Sequence, residues 1–140
     1  ALLPTAESLG VCLGIENVWN KFLLSPVEFA EFVRSFGSPY VGAYYDVGNT
    51  LLTGYPQHWI KTLGALIRKV HVKDFRTAVG NLDGFVDIFE GDVDWVSVIE
   101  GLREIGYRDH VVAEILPPYQ AAPEALVWEV SRKMDTLLGL

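Results

Sequence analysis

Sulfur and positive charge are scarce in this 140-residue chain, which has one Cys, one Met and 11 Lys plus Arg against 18 Asp plus Glu, for a formal net charge of −7. A lone cysteine, Cys12, excludes an internal disulfide, and its place in an apolar run predicts a buried structural thiol rather than a reactive one. With no basic cluster, a nucleic-acid backbone is a poor partner. A divalent cation or a neutral small molecule suits the charge better. The apolar runs fall far short of the roughly 20 residues a membrane helix needs, and the first residues lack the charged and apolar blocks of a secretory leader. A cytoplasmic protein without membrane contact is therefore expected. No G-x-G-x-x-G fingerprint occurs, and "GNLDGF" (80–85) is too poor in glycine to cradle a phosphate.

What the chain does have is apolar material, 50% of its residues, enough for the core of one domain. The compact run "VCLGIEN" (11–17) stops at an acid, as buried parallel strands do. In "LSPVEFAEFVRSFG" (24–37), Ser25 is a candidate N-cap, Pro26 suits the first helical position, Glu28 completes a capping box, and Ala30, Val33 and Phe36 form an apolar stripe before Gly37. The cycle repeats with "YVGAYYDVGN" (40–49) and a helix from about Pro56 through "QHWIKTLGALI" (57–67), then with "KVHVKDF" (69–75). A long polar connection, "RTAVGNLDGFVDIFEGD" (76–92), leads to a helix near Asp94 to Ile105. "HVVAEIL" (110–116) reads as a fourth strand and "PEALVWEVSRKMDTLLG" (123–139) as a closing amphipathic helix, while Pro4 to Gly10 reads as the tail of an earlier helix.

Four strands alternating with helices predict an α/β fold with a parallel sheet covered by helices. Four such units are half of an eight-stranded barrel, so residues 1–140 read as a single partial (β/α)8 domain equivalent to strands five to eight. Its outer strands would expose unpaired edges. Self-association into a homo-oligomer, or a missing N-terminal half-barrel, would account for them.

Each strand closes on one ionisable group: Glu16, Asp46, His71 and Glu114. In parallel α/β sheets the C-terminal strand ends lie on one face, where sites are built. Three carboxylates and an imidazole brought together there repel and lose hydration unless a cation sits between them. Oxygen-rich ligation with one nitrogen favours Mn2+, with Mg2+ or Co2+ next; a structural zinc would usually bring cysteine thiolates. Lys73 alternates with His71 and should face the same side, where it meets either a substrate oxygen or phosphate or a nearby acid; Asp74 should point away and anchor a loop. Trp19 and Phe75 sit near strand ends, where they pack in the core or against a sugar.

"GIENVWNKFLLSPVEFAEFV", "VGAYYDVGN", "KVHVKDF", "EGDVDW" and "HVVAEILPP" together resemble, in order, the fifth to eighth strands and loops of the xylose-isomerase-like TIM-barrel superfamily, specifically its sugar and sugar-phosphate isomerases and epimerases. The resemblance implies a metal bound by Glu16, Asp46, His71 and Glu114, and proton transfer by Glu16 and Glu114. It implies that Arg76 helps to hold substrate oxygens. Many ketose epimerases of the superfamily carry a histidine where this chain has Asn49; an amide donates to a hydroxyl but does not titrate, so Asn49 fits substrate binding. The expected reaction is proton abstraction next to a carbonyl through a metal-stabilised enediolate. A dehydratase of inosose-type ketoses begins with the same abstraction and stays open, as does a non-catalytic half-barrel that binds metal but lacks a complete substrate pocket. An endonuclease acting at abasic DNA sites would need more metal ligands and a basic groove.

Overall fold

The computed structural model describes residues 1–115 and 120–140. Helix α1 (Leu3–Leu9) ends on left-handed Gly10 and leads into β1 (Leu13–Glu16). The βα order then runs α2 (Pro26–Ser35), β2 (Val41–Asp46), α3 (Pro56–Leu63), β3 (Ile67–Val72), α4 (Trp95–Glu104), β6 (Val111–Ala113) and α5 (Pro123–Gly139), with the two-residue strands β4 (Asp74–Phe75) and β5 (Phe85–Val86) between β3 and α4. Strands β1, β2, β3 and β6 form one parallel sheet in that order, as half of a TIM barrel requires. Among the described residues, β1 and β6 are paired on one side only.

One face of the sheet builds the core. Ala43, Tyr45, Val70 and Val72 are fully buried against Phe29, Ala30 and Val33 of α2, Trp59, Ile60 and Leu63 of α3, and Val98, Ile99 and Leu102 of α4. Burying side chains of this size contributes roughly 1.5–3 kcal/mol each. The opposite face, with Gly14, Tyr44, Lys69, His71 and Val112, carries no helices among the described residues and stays half-open. Cys12 belongs to that side of the chain: two residues before Gly14 at the mouth of an edge strand, it is exposed rather than buried as the apolar run suggested.

Local chemistry sets the element boundaries. Ser25 caps α2 through Val27 N–H rather than through a capping box with Glu28, and Asp94 caps α4 by accepting from Ser97 N–H and Oγ. Phe36 lies 39% exposed, so the buried stripe of α2 is Phe29, Ala30 and Val33. The expected helix from Pro56 through Ile67 ends at Leu63, gives way to a 3-10 turn over Gly64–Leu66, and Ile67 opens β3. The expected fourth strand ends at Ala113, although Glu114 N–H still donates to Val72 O at 3.0 Å; its last residue, Leu116, lies outside the described residues.

The pairing of β2 with β3 contains a register shift. Ala43 faces Ile67, but Tyr44 faces Lys69, so Arg68 is an extra residue in β3. A Cβ on Gly42 would overlap Arg68 Cγ and lie 2.9 Å from Leu66 O, so glycine makes room for the bulge. Beyond it, Asp46 stands beside His71; an unbroken ladder would put Val70 there and send the imidazole into the helix layer.

Candidate metal centre

Glu16 closes β1, Asp46 closes β2, His71 lies one residue before the end of β3, and Glu114 follows β6 directly. One donor atom from each lies within 4.8 Å of the others. His71 Nδ1 is 3.1 Å from Glu16 Oε1 and 3.8 Å from both Asp46 Oδ2 and Glu114 Oε2. The Tyr44 ring, its centroid 4.0 Å from that of His71, supports the imidazole from the strand alongside. The four residues singled out as strand ends in the sequence therefore converge.

Asp46 is fully buried and is the most constrained member. Its Oδ1 accepts from Asn49 N–H at 2.8 Å, while its Oδ2 accepts no hydrogen bond among the described residues. Burial pushes this carboxyl up to about 7 against the opposing pull of Lys73. The Lys73 ammonium sits 3.2 Å from Oδ2, an ion pair without hydrogen-bond alignment, and donates to Glu114 Oε2 at 2.6 Å. That bond holds the Glu114 carboxyl below its usual range. Burial opposes the charge on Lys73, but Asp46 and Glu114 outweigh it and hold the amine above its usual value. A buried carboxylate oxygen without an aligned hydrogen bond among the described residues, facing an imidazole, an ammonium and two further carboxylates, fits a divalent cation of oxygen and nitrogen preference.

Around the cluster opens a cleft of about 550 Å³ whose lining includes Glu16, Trp19, Asn49, Lys73, Phe85 and Glu114. Trp19 and Phe85 pack tilted with centroids 5.0 Å apart and make an aromatic wall of the cleft, backed edge-on by the fully buried Phe75 at 5.0 to 5.1 Å. Asn49 donates from Nδ2 to Asn17 O at 2.9 Å and accepts from Trp19 Nε1 at its carbonyl. Arg76 lies outside that lining: its Nε donates to Glu90 O at 2.9 Å and its guanidinium is exposed beside the Glu90 carboxylate. Asp74 does anchor a loop, as its alternation with Lys73 suggested, accepting from Phe75 N–H, Val93 N–H and Trp95 Nε1.

Three residues that position the site escaped the sequence reading. Asn17 bonds both backbone groups of Asp46, Gly48 leaves space for Lys73, and Phe85 places its ring 4.8 Å from the Lys73 ammonium. Asn17 had a visible signal, an amide directly after a strand-closing acid. Gly48 and Phe85 had none, because their roles depend on contacts between loops.

The model of the xylose isomerase-like TIM barrel family matches residues 1–132. The chain belongs to that family. It is 30% identical over 112 residues to an uncharacterized protein of Methanocaldococcus jannaschii, covering 76% of this chain and 37% of that protein. A D-tagatose 3-epimerase-like protein superposes with a TM-score of 0.71 at 25% identity, covering 96% of this chain and 52% of that one. The probable 3-DHS dehydratase AsbF of Bacillus anthracis superposes with a TM-score of 0.72 at 18% identity, covering 91% of this chain and 51% of that one. The chain thus spans about half the length of these structures and less of the curated relative. Among the described residues, no helix is long and apolar enough to cross a membrane.

Proposed function

We propose that this chain is the metal-binding, proton-transferring half of a sugar or sugar-phosphate isomerase or epimerase. The observation that carries the reading is the convergence of Glu16, Asp46, His71 and Glu114 within 4.8 Å at the C-terminal ends of parallel strands. These four would hold a divalent ion, Mn2+ first and Mg2+ or Co2+ next. Such an ion supplies positive charge where negative charge develops as a carbon beside a carbonyl loses its proton.

Glu16 and Glu114 are the members that line the cleft, their side chains 31% and 38% exposed against 16% for His71, so they are the carboxylates placed to meet a substrate proton. One removes it and the other returns it. Return to the opposite face of the same carbon gives epimerisation, and return to the adjacent carbon gives aldose–ketose interconversion. Asn49 and Lys73 line the cleft and are assigned to substrate hydroxyls, with the aromatic wall taking the C–H face of the sugar. Arg76 would reach substrate oxygens only on leaving Glu90. Since the chain spans about half of each matched structure, turnover is assigned to a complete barrel, closed by a further half-barrel or by a second copy.

The test is calorimetric titration of Mn2+ into chelator-treated protein, wild type beside Asp46→Asn and His71→Ala. Stoichiometric binding in wild type, lost in both variants, is expected, with ketoses and ketose phosphates then screened for turnover in the closed barrel. Absence of binding by the wild-type chain would mean that this half does not assemble the centre alone, and would overturn the metal-binding reading of the isolated chain.

A further inference from the structure

Lys73 sits where a cation is needed. Its side chain is 7% exposed, and its ammonium contacts Asp46 Oδ2 at 3.2 Å and Glu114 Oε2 at 2.6 Å. These are the same two oxygens that face His71 Nδ1 at 3.8 Å, so lysine and a metal would draw on the same atoms. The stem is packed on two sides: a Cβ on Gly48 would come within 2.7 Å of Lys73 Cγ and 2.6 Å of its carbonyl oxygen, and the Phe85 ring lies 4.8 Å from the amine. A glycine on one side and an aromatic face on the other define a channel fitted to one lysine.

We propose that the Lys73 ammonium is a built-in placeholder for the metal. This rests on reading the four-residue cluster as a metal centre. In the metal-free chain its single positive charge offsets part of the negative charge shared by Asp46 and Glu114 and so lessens the like-charge repulsion within the cluster. A divalent ion entering the cluster takes those oxygens from it and leaves two cations close together, so Lys73 sets an upper limit on metal affinity. Displaced from the carboxylates but still held over Phe85, the amine is then free to donate to an oxygen in the cleft. Lys73 is therefore a positioning residue before metal binding and a ligand-facing donor after it.

The experiment compares Mn2+ affinity by calorimetry in wild type, Lys73→Met and His71→Ala, with thermal melts of each in chelator and in saturating Mn2+. Lys73→Met should bind Mn2+ at least tenfold more tightly than wild type, melt lower in chelator, and gain more from the metal. Equal or weaker affinity in a folded Lys73→Met, with His71→Ala still abolishing binding, overturns the placeholder and leaves the metal centre standing. No binding by wild type overturns both. Should Lys73→Met fail to fold, the wild-type chain decides: its Lys73 ε-methylene resonance must shift in step with Mg2+ saturation, and a resonance that stays put overturns the proposal.

Discussion

Asn17 and Asp46 exchange two hydrogen bonds, Asn17 Nδ2 donating to Asp46 O and Asp46 N–H donating to Asn17 Oδ1, both at 2.8 Å. A side-chain amide thus continues the ladder one step past the end of β1, where the backbone turns away. Asn49 fastens the other end of the arrangement by donating from Nδ2 to Asn17 O and from its backbone N–H to Asp46 Oδ1. Asn17→Ala leaves a buried N–H and a buried C=O unmatched, each costing about 1–3 kcal/mol. Urea unfolding should show a loss of about 2–4 kcal/mol, and Mn2+ affinity should fall although Asn17 is not among the four cluster residues.

Asp46 makes the metal-free chain sensitive to alkali. Its folded value, up to about 7, is raised above the usual carboxylate range by burial, so the fold favours the protonated form. The associated stability is fully present below the unfolded value of about 3.9 and is lost as pH rises through about 7. Thermal melts of the chelated chain from pH 5.5 to 8.5 should fall with rising pH, and Asp46→Asn should flatten that slope. An equally steep slope in the variant would show that another group is responsible.

The bulge at Arg68 predicts an effect at a distance. Gly42→Ala pushes a methyl group into Arg68 and Leu66 O, and overpacking of this kind costs about 1–3 kcal/mol. Relief by straightening β3 would slip its register and turn His71 away from Asp46. Weakened Mn2+ binding together with lowered stability is expected; intact binding in Gly42→Ala would mean that the register survives the added carbon.

Asp74 is fully buried and collects three N–H donors, from Phe75, Val93 and Trp95. Asp74→Asn puts an amide N–H where Oδ2 receives Trp95 Nε1, setting donor against donor. A loss of about 1–3 kcal/mol should appear in chemical denaturation, with amide exchange accelerated around β4, β5 and the start of α4. Mn2+ affinity should change much less than in Asn17→Ala.

The strand ends were legible because each apolar run stops at one ionisable residue, and the parallel topology of half a barrel then brings such residues to one end. Helices α2, α3 and α5 were legible from their proline starts and apolar spacing, and α4 from the segment Asp94 to Ile105 before Gly106, but the Gly64 stop of α3 was read through. The β4–β5 pair was not, since two-residue strands are too short to carry a period and lie within a polar connection. Cys12 misled because an apolar neighbourhood in sequence does not say which side of an edge strand is covered. The partners of Lys73 were narrowed to two kinds by its alternation with His71, but which one holds depends on Gly48 and Phe85, and no local pattern announces that packing.

The four converging residues come from four different βα units, so no unit alone, and no adjacent pair, contains the centre. An ion held by all four is bound only while every strand of the sheet is in register, and its binding free energy counts against each opening that frees any one of them. The expected signature is a loss of independence among local motions: hydrogen exchange in β1, β2, β3 and β6 should slow together on metal uptake, turning four semi-autonomous units into one cooperative block.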